Sequence, residues 1–231
     1  MHWEELLPGV WRFWNDPVDG IGSHSYLVCE AAGNVLFEGA AIYSEAALAK
    51  IEALGGVRFV SASHPHSYGA LWQIQDHFDA GVALHTADFA WSGAFRVTHP
   101  FDTSLELVPG LTLIHTGVHF AGHAVLHDAR RGILFCGDAL KFEFEPGDPR
   151  AATRISTHKA FVRGVPLTVD ETRHYKAIFA ALDFTRVYTP FEQIHNVDTA
   201  TVEAFLERVE REYPQPEFIA VDDLTVSTRE T

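Results

Sequence analysis

The sequence predicts a layered α/β (α+β) fold, two β-sheets packed face to face with helices outside. Short apolar strands alternate with amphipathic helices through the first half of the chain. The stretch from Leu105 to Cys136 then reads as all-β, and two capped helices follow it. Layering of this kind buries one face of every element. At 231 residues the chain can bury a full core and stays within the size of one domain, so residues 1–231 are read as a single domain.

HSYLVCE (24–30) and NVLFEGA (34–40) read as strands joined by a turn at Ala32-Gly33-Asn34. Ser44 can cap a helix through EAALAKIEAL, which Gly55-Gly56 ends. VRFVSAS (57–63) is a buried strand. ALWQIQDHF (70–78) has Leu71, Ile74 and Phe78 on one helical face, and GVALH (81–85) returns to strand. LELV, LTLIHT, AVLHD and GILFC are strands separated by turn residues, whereas Lys141 to Pro166 reads as irregular. Thr168 with Glu171 forms a capping box for a helix whose stripe is Tyr175, Ile178, Phe179 and Leu182. RVYTP (186–190) is the last strand, and Asp198 caps a last helix with Val202, Phe205, Leu206 and Val209 inward. Beyond Pro214 the tail is polar, and VDDLTV can pair with a sheet edge.

Composition narrows the function. A chain 47% hydrophobic and 21% charged is neither disordered, collagen-like nor a coiled coil. Its net charge of −14 repels nucleic-acid phosphates and anionic lipid, so no nucleic-acid or membrane partner is expected. No apolar run reaches the roughly 20 residues of a membrane span. MHWEELLPGVWRFW lacks the basic start and apolar stretch of a signal peptide. Cys29 and Cys136 sit in apolar strands and read as packing thiols, which points to the cytoplasm. The partner expected is a small-molecule substrate; a homodimer is compatible with the sequence.

Histidine is the unusual count: nine of the 14 lie between His64 and His127. His64-Pro65-His66 leaves the end of a buried strand, and in extended backbone such a pair projects to one side. His115, His119 and His123 fall in a glycine-loosened loop between strands. Asp138 follows an apolar strand and a glycine, where a carboxylate needs a cation or several donors. Each feature alone also fits an ordinary polar, capping or turn residue.

Together and in this order, SHPHSYGAL, HTGVHFAGH and LFCGDAL resemble the motifs of the metallo-β-lactamase superfamily, over about Ser25 to Asn196. The resemblance implies a four-layer αββα sandwich with a metal site at one edge of the paired sheets. It implies His64, His66, His119 and Asp138 as ligands. Where the family carries Asp and His after its His-x-His pair, this chain has Tyr68 and Gly69, so a second metal site is incomplete. The family's last histidine would fall near Phe191; His195 is the nearest imidazole, and His158 and His24 are further candidates for the ligand set or the cleft. His123 is expected behind the ligands, and Trp72, Trp91 and Phe120 as possible pocket walls. His77, His85, His99, His127 and His174 read as ordinary surface or core histidines.

The expectation is a mononuclear metal-dependent hydrolase of small esters, thioesters or lactones. One divalent transition metal serves it, zinc foremost, with iron, nickel or manganese as alternatives. Asp138 is the candidate base or water-orienting group, and Tyr68 a donor to a developing oxyanion. Two rival readings stand beside it: a degenerate sandwich that binds metal or ligand without turnover, and an iron-dependent redox protein.

Overall fold

The computed structural model describes residues 1–16, 23–39, 42–145, 147–148, 150–160, 164–212 and 218–225. They gather into two compact units, Met1–His115 with Phe120–Leu126, and Thr116–His119 with His127–Thr231.

The first unit opens with a hairpin, β1 (His2–Leu7) and β2 (Val10–Trp14), that the sequence alone leaves unassigned. Then come β3 (His24–Val28), β4 (Val35–Phe37), α1 (Glu45–Ala53), β5 (Phe59–Ser61), α2 (Leu71–Phe78), β6 (Gly81–His85) and β7 (His99–Phe101). These seven strands form one sheet in chain order. β1 to β4 pair antiparallel, and β4 to β7 pair parallel. Parallel neighbours need a crossover, which α1 and α2 supply for β5 and β6. Both helices stand where the sequence places them. The Ser44 hydroxyl accepts from the Ala47 amide at 3.3 Å, and Gly55, at φ 107°, takes the left-handed turn that stops α1.

One side of that sheet is buried under the helices. Leu27, Leu36, Val60 and Val82 join Leu48, Ile51, Leu71 and Ile74 in a single apolar cluster. Each such side chain contributes roughly 1.5–3 kcal/mol on burial. With β4, β5 and β6 running in one direction, their C-terminal loops present Glu38, His64-Pro65-His66 and Asp88. The unit also holds the hairpin β8 (Ser104–Val108) and β9 (Leu111–His115), turning at Pro109-Gly110. β10 (Ala124–Asp128) follows the histidine-rich loop and is buried throughout.

Further along are β11 (Ile133–Phe135), β12 (Lys141–Phe144), β13 (Ala152–Ser156), α3 (Val169–Phe179), β14 (Arg186–Tyr188), β15 (Gln193–Ile194), α4 (Thr199–Arg211), β16 (Ile219–Ala220) and α5 (Val221–Thr225). In the second unit β11 pairs parallel with β14, and β14 antiparallel with β15. The expected capping box is present: Thr168 Oγ1 accepts from the Glu171 amide at 3.3 Å, and Glu171 Oε2 from the Thr168 amide at 2.8 Å. Asp198 caps α4 through the Thr201 amide at 2.8 Å. Tyr175 and Phe179 of α3 and Val202, Phe205 and Leu206 of α4 are buried.

Two expectations are corrected here. The stretch after Lys141 is not irregular throughout: β12 and β13 pair antiparallel across it. VDDLT is not a strand, and Val226 lies outside the described residues; Ile219 and Ala220 pair with β13, and Val221–Thr225 turns as a helix. Among the described residues, no helix is long and apolar enough to cross a membrane.

Candidate metal centre

His64 is the extended residue (φ −164°) that precedes a 3-10 turn, Pro65–Ser67. Pro65 suits the first position of that turn, where its fixed φ fits and no amide is required. The His64 and His66 rings lie side by side, centroids 5.4 Å apart, but a turn, not continuous extended chain, brings them there. His64 is buried and His66 exposed. Ser63 Oγ is 2.8 Å from His64 Nδ1, so a metal bond from this ring uses Nε2. Behind the turn, Glu38 Oε2 accepts from the Ser63 amide at 3.2 Å, and the Gly39 amide donates to the Ser67 carbonyl at 2.8 Å.

Phe120 braces the pair. It stacks on His64 at 5.3 Å and meets His66 edge-on at 5.0 Å. The exposed Trp91 meets Phe120 edge-on at 6.3 Å. Trp72 is exposed on α2. His123 is fully buried, its ring 5.6 Å from that of His64. The Ala124 amide donates to the Ser63 carbonyl at 2.9 Å.

Tyr68, the expected oxyanion donor, lies beside the buried Asp88. Its side chain is buried, and its hydroxyl donates to Asp88 Oδ2 at 3.1 Å. Burial, and then the Asp88 charge, push its pKa well above the ordinary phenol value, so the proton stays on Tyr68.

His119 is held by a backbone carbonyl. Its Nδ1 donates to the Lys159 carbonyl at 2.7 Å, which fixes the tautomer. His119 Nε2 lies 3.5 Å from Asp138 Oδ2, and the Asp138 side chain is 24% exposed. α3 anchors this loop. His174 Nε2 donates to the Thr116 carbonyl at 3.1 Å, and the buried Tyr175 hydroxyl bonds to Thr116 and the His119 backbone. Lys159, whose carbonyl holds His119, pairs through its ammonium with Glu171 at 2.5 Å.

A ligand nitrogen from each of His64, His66 and His119 lies within 4.8 Å of the other two. Asp138 adjoins this trio through His119. Three imidazoles with a carboxylate at hand are a donor set that fits zinc, and imidazole also suits iron and nickel.

The remaining candidates have other surroundings. His24 lies in β3 with its ring edge-on to Trp14 and Tyr26; burial, and then the Arg12 charge, lower its pKa to about 4. His195 is exposed and stacks on Tyr188 at 6.2 Å. His158 is buried, its Nδ1 3.0 Å from Ser156 Oγ. His85 stacks on His115 at 3.7 Å, and His127 Nε2 donates to the Asp183 carbonyl at 2.9 Å.

Three carboxylates escape a reading of the sequence alone. Glu38 and Asp88 are buried around the His64 turn. Glu192 follows β14, and its pKa is raised by burial and, among nearby charges, by Asp138. Only their position at the ends of apolar strands, the signal that exposed Asp138, could have pointed to Glu38 and Asp88.

The chain belongs to the metallo-beta-lactamase superfamily, whose family pattern matches residues 18–210. The expected fold is therefore the fold of this protein. Among curated proteins it is similar to YmaE of Bacillus subtilis (strain 168), 28% identical over 192 residues, 78% of this chain and 65% of that protein. The chain thus spans less than two thirds of that relative's length. Among solved structures it is similar to a metallo-beta-lactamase family protein from Thermus thermophilus, with TM-score 0.58 and 20% identity over 90% of this chain and 80% of that one. The flavodiiron protein from Giardia intestinalis matches at TM-score 0.64 and 13% identity, over 91% of this chain and 60% of that one.

Proposed function

We propose that this chain is a metal-dependent hydrolase holding one divalent transition-metal ion, zinc foremost, through His64, His66 and His119, and acting on a small ester, thioester or lactone. The observation that carries this reading is the close approach of the three imidazole nitrogens. When bound, such an ion supplies Lewis acidity toward a carbonyl oxygen and brings the pKa of water toward about 7.

The chain's own residues supply the rest. The Lys159 carbonyl and Ser63 hydroxyl fix the His119 and His64 rings, so little ordering remains for ligand binding. Asp138, partly open to solvent, is placed to accept the proton of an attacking water and to orient it. Phe120 and Trp91 offer an apolar wall to an acyl or aryl group. Tyr68 and Gly69, standing where the family has Asp and His, support a single ion over a pair. A cytoplasmic site of action and a small-molecule substrate complete the proposal; Cys29 and Cys136, both thiols, agree with it.

A second reading, metal or ligand binding without turnover, draws support from Tyr68, whose hydroxyl is committed to Asp88. Protein purified without chelator should carry close to one equivalent of metal, and His119→Ala should lose most of it. The same variant, and His64→Ala, should lose turnover across an ester and lactone panel by about a hundredfold or more. Full metal with no turnover on any substrate would favour the second reading; less than about a tenth of an equivalent would defeat the hydrolase reading.

A further inference from the structure

Asp88 is a buried carboxylate that belongs to no motif. It sits 1% exposed in the 3-10 helix Thr86–Trp91, which follows β6. A carboxylate removed from water needs donors, and two reach it. The Tyr68 hydroxyl donates to Oδ2 at 3.1 Å, and the Gly122 amide to Oδ1 at 2.9 Å. Tyr68 closes the turn that carries His64 and His66. Gly122 lies two residues beyond Phe120, whose ring packs on both imidazoles, and next to His123, whose ring lies beside His64. The approach is close: a Cβ on Gly122 would stand 2.4 Å from the Asp88 carboxyl carbon, so only glycine admits the carboxylate there.

We propose that Asp88 is a positioning residue: its carboxylate latches the turn bearing His64 and His66 to the segment bearing Phe120 and His123, and so sets the angle between the two imidazoles. The inference rests on the metal-site reading for its consequence, but the latch itself is a property of the metal-free chain. It also accounts for Tyr68. A tyrosine in place of the family's carboxylate reaches a different carboxylate, contributed by the next strand–loop unit.

Both sides can be tested on the full chain with Asp88→Asn and the milder Tyr68→Phe. In metal-free protein, amide hydrogen exchange in segments 64–69 and 120–124 should rise together by about tenfold or more, while β1 to β3 keep their protection. With zinc added, competition against a chromophoric chelator should show affinity about 10–100-fold weaker than in the parent. The cobalt-substituted variants should show a visible spectrum altered from the parent's. Unchanged exchange in those segments in both variants overturns the latch, whether or not the parent binds metal. Faster exchange with unchanged zinc affinity and cobalt spectrum overturns its role in setting the imidazoles. A parent that binds no zinc defeats the metal reading alone, and the exchange result then still decides the latch. Should Asp88→Asn fail to fold, Tyr68→Phe, which removes one donor and leaves the carboxylate, decides the question.

Discussion

At the scale of single residues, environment gives the fourteen histidines different parts. His64 and His119 each have Nδ1 engaged by a neighbour. His24 is different: half-buried against Trp14 and Tyr26 and close to Arg12, it stays neutral down to about pH 4. The unfolded chain protonates the same ring near 6.5. The unfolded state therefore binds more protons between those values, and stability contributed by neutral His24, full above about 6.5, is lost as the pH falls toward 4. His24→Gln should flatten that loss by up to about 3 kcal/mol, read from urea denaturation at about pH 7 and about pH 4.5. Parallel losses in parent and variant would show that His24 is not desolvated. The ligand candidates were legible because strand ends and glycines frame them. Asp88 was not, because its partners Tyr68 and Gly122 are 20 and 34 residues away along the chain.

At the scale of elements, helix caps were the most readable signal. Ser44, Thr168 and Asp198 each accept from the amide three residues on, as their side-chain chemistry dictates. α3 matters beyond its own stability, since His174 and Tyr175 hold the loop that presents His119. Thr168→Ala should cost about 1 kcal/mol in unfolding free energy while the protein remains folded; no measurable change would mean that the cap carries none of the helix's stability. β12 and β13 were hidden for a physical reason. KFEF and ATRIS are short and mixed in polarity, and Pro and Gly crowd the sequence between them, so neither passes for a strand until paired. Ile219 and Ala220, two residues beside β13, gave still less to read.

At the scale of the whole molecule, order along the chain carried the family and its fold: His-x-His after one strand, a histidine-rich loop between two more, Gly-Asp after another. The departure at Tyr68 and Gly69 was equally visible; its consequence, a hydroxyl turned onto Asp88, needed three dimensions. If the three imidazoles share one ion, folding and metal binding are coupled. Zinc at about a hundred times its Kd should add about 2.7 kcal/mol to stability, and chelator should lower Tm reversibly. A Tm indifferent to both would separate metal from fold. The most direct test is elemental analysis of crystals grown from protein purified without chelator, with anomalous scattering to place the ion. The account predicts a single anomalous peak within coordination distance of His64, His66 and His119. Rings turned away from one another around solvent, or an ion bound elsewhere, would contradict it.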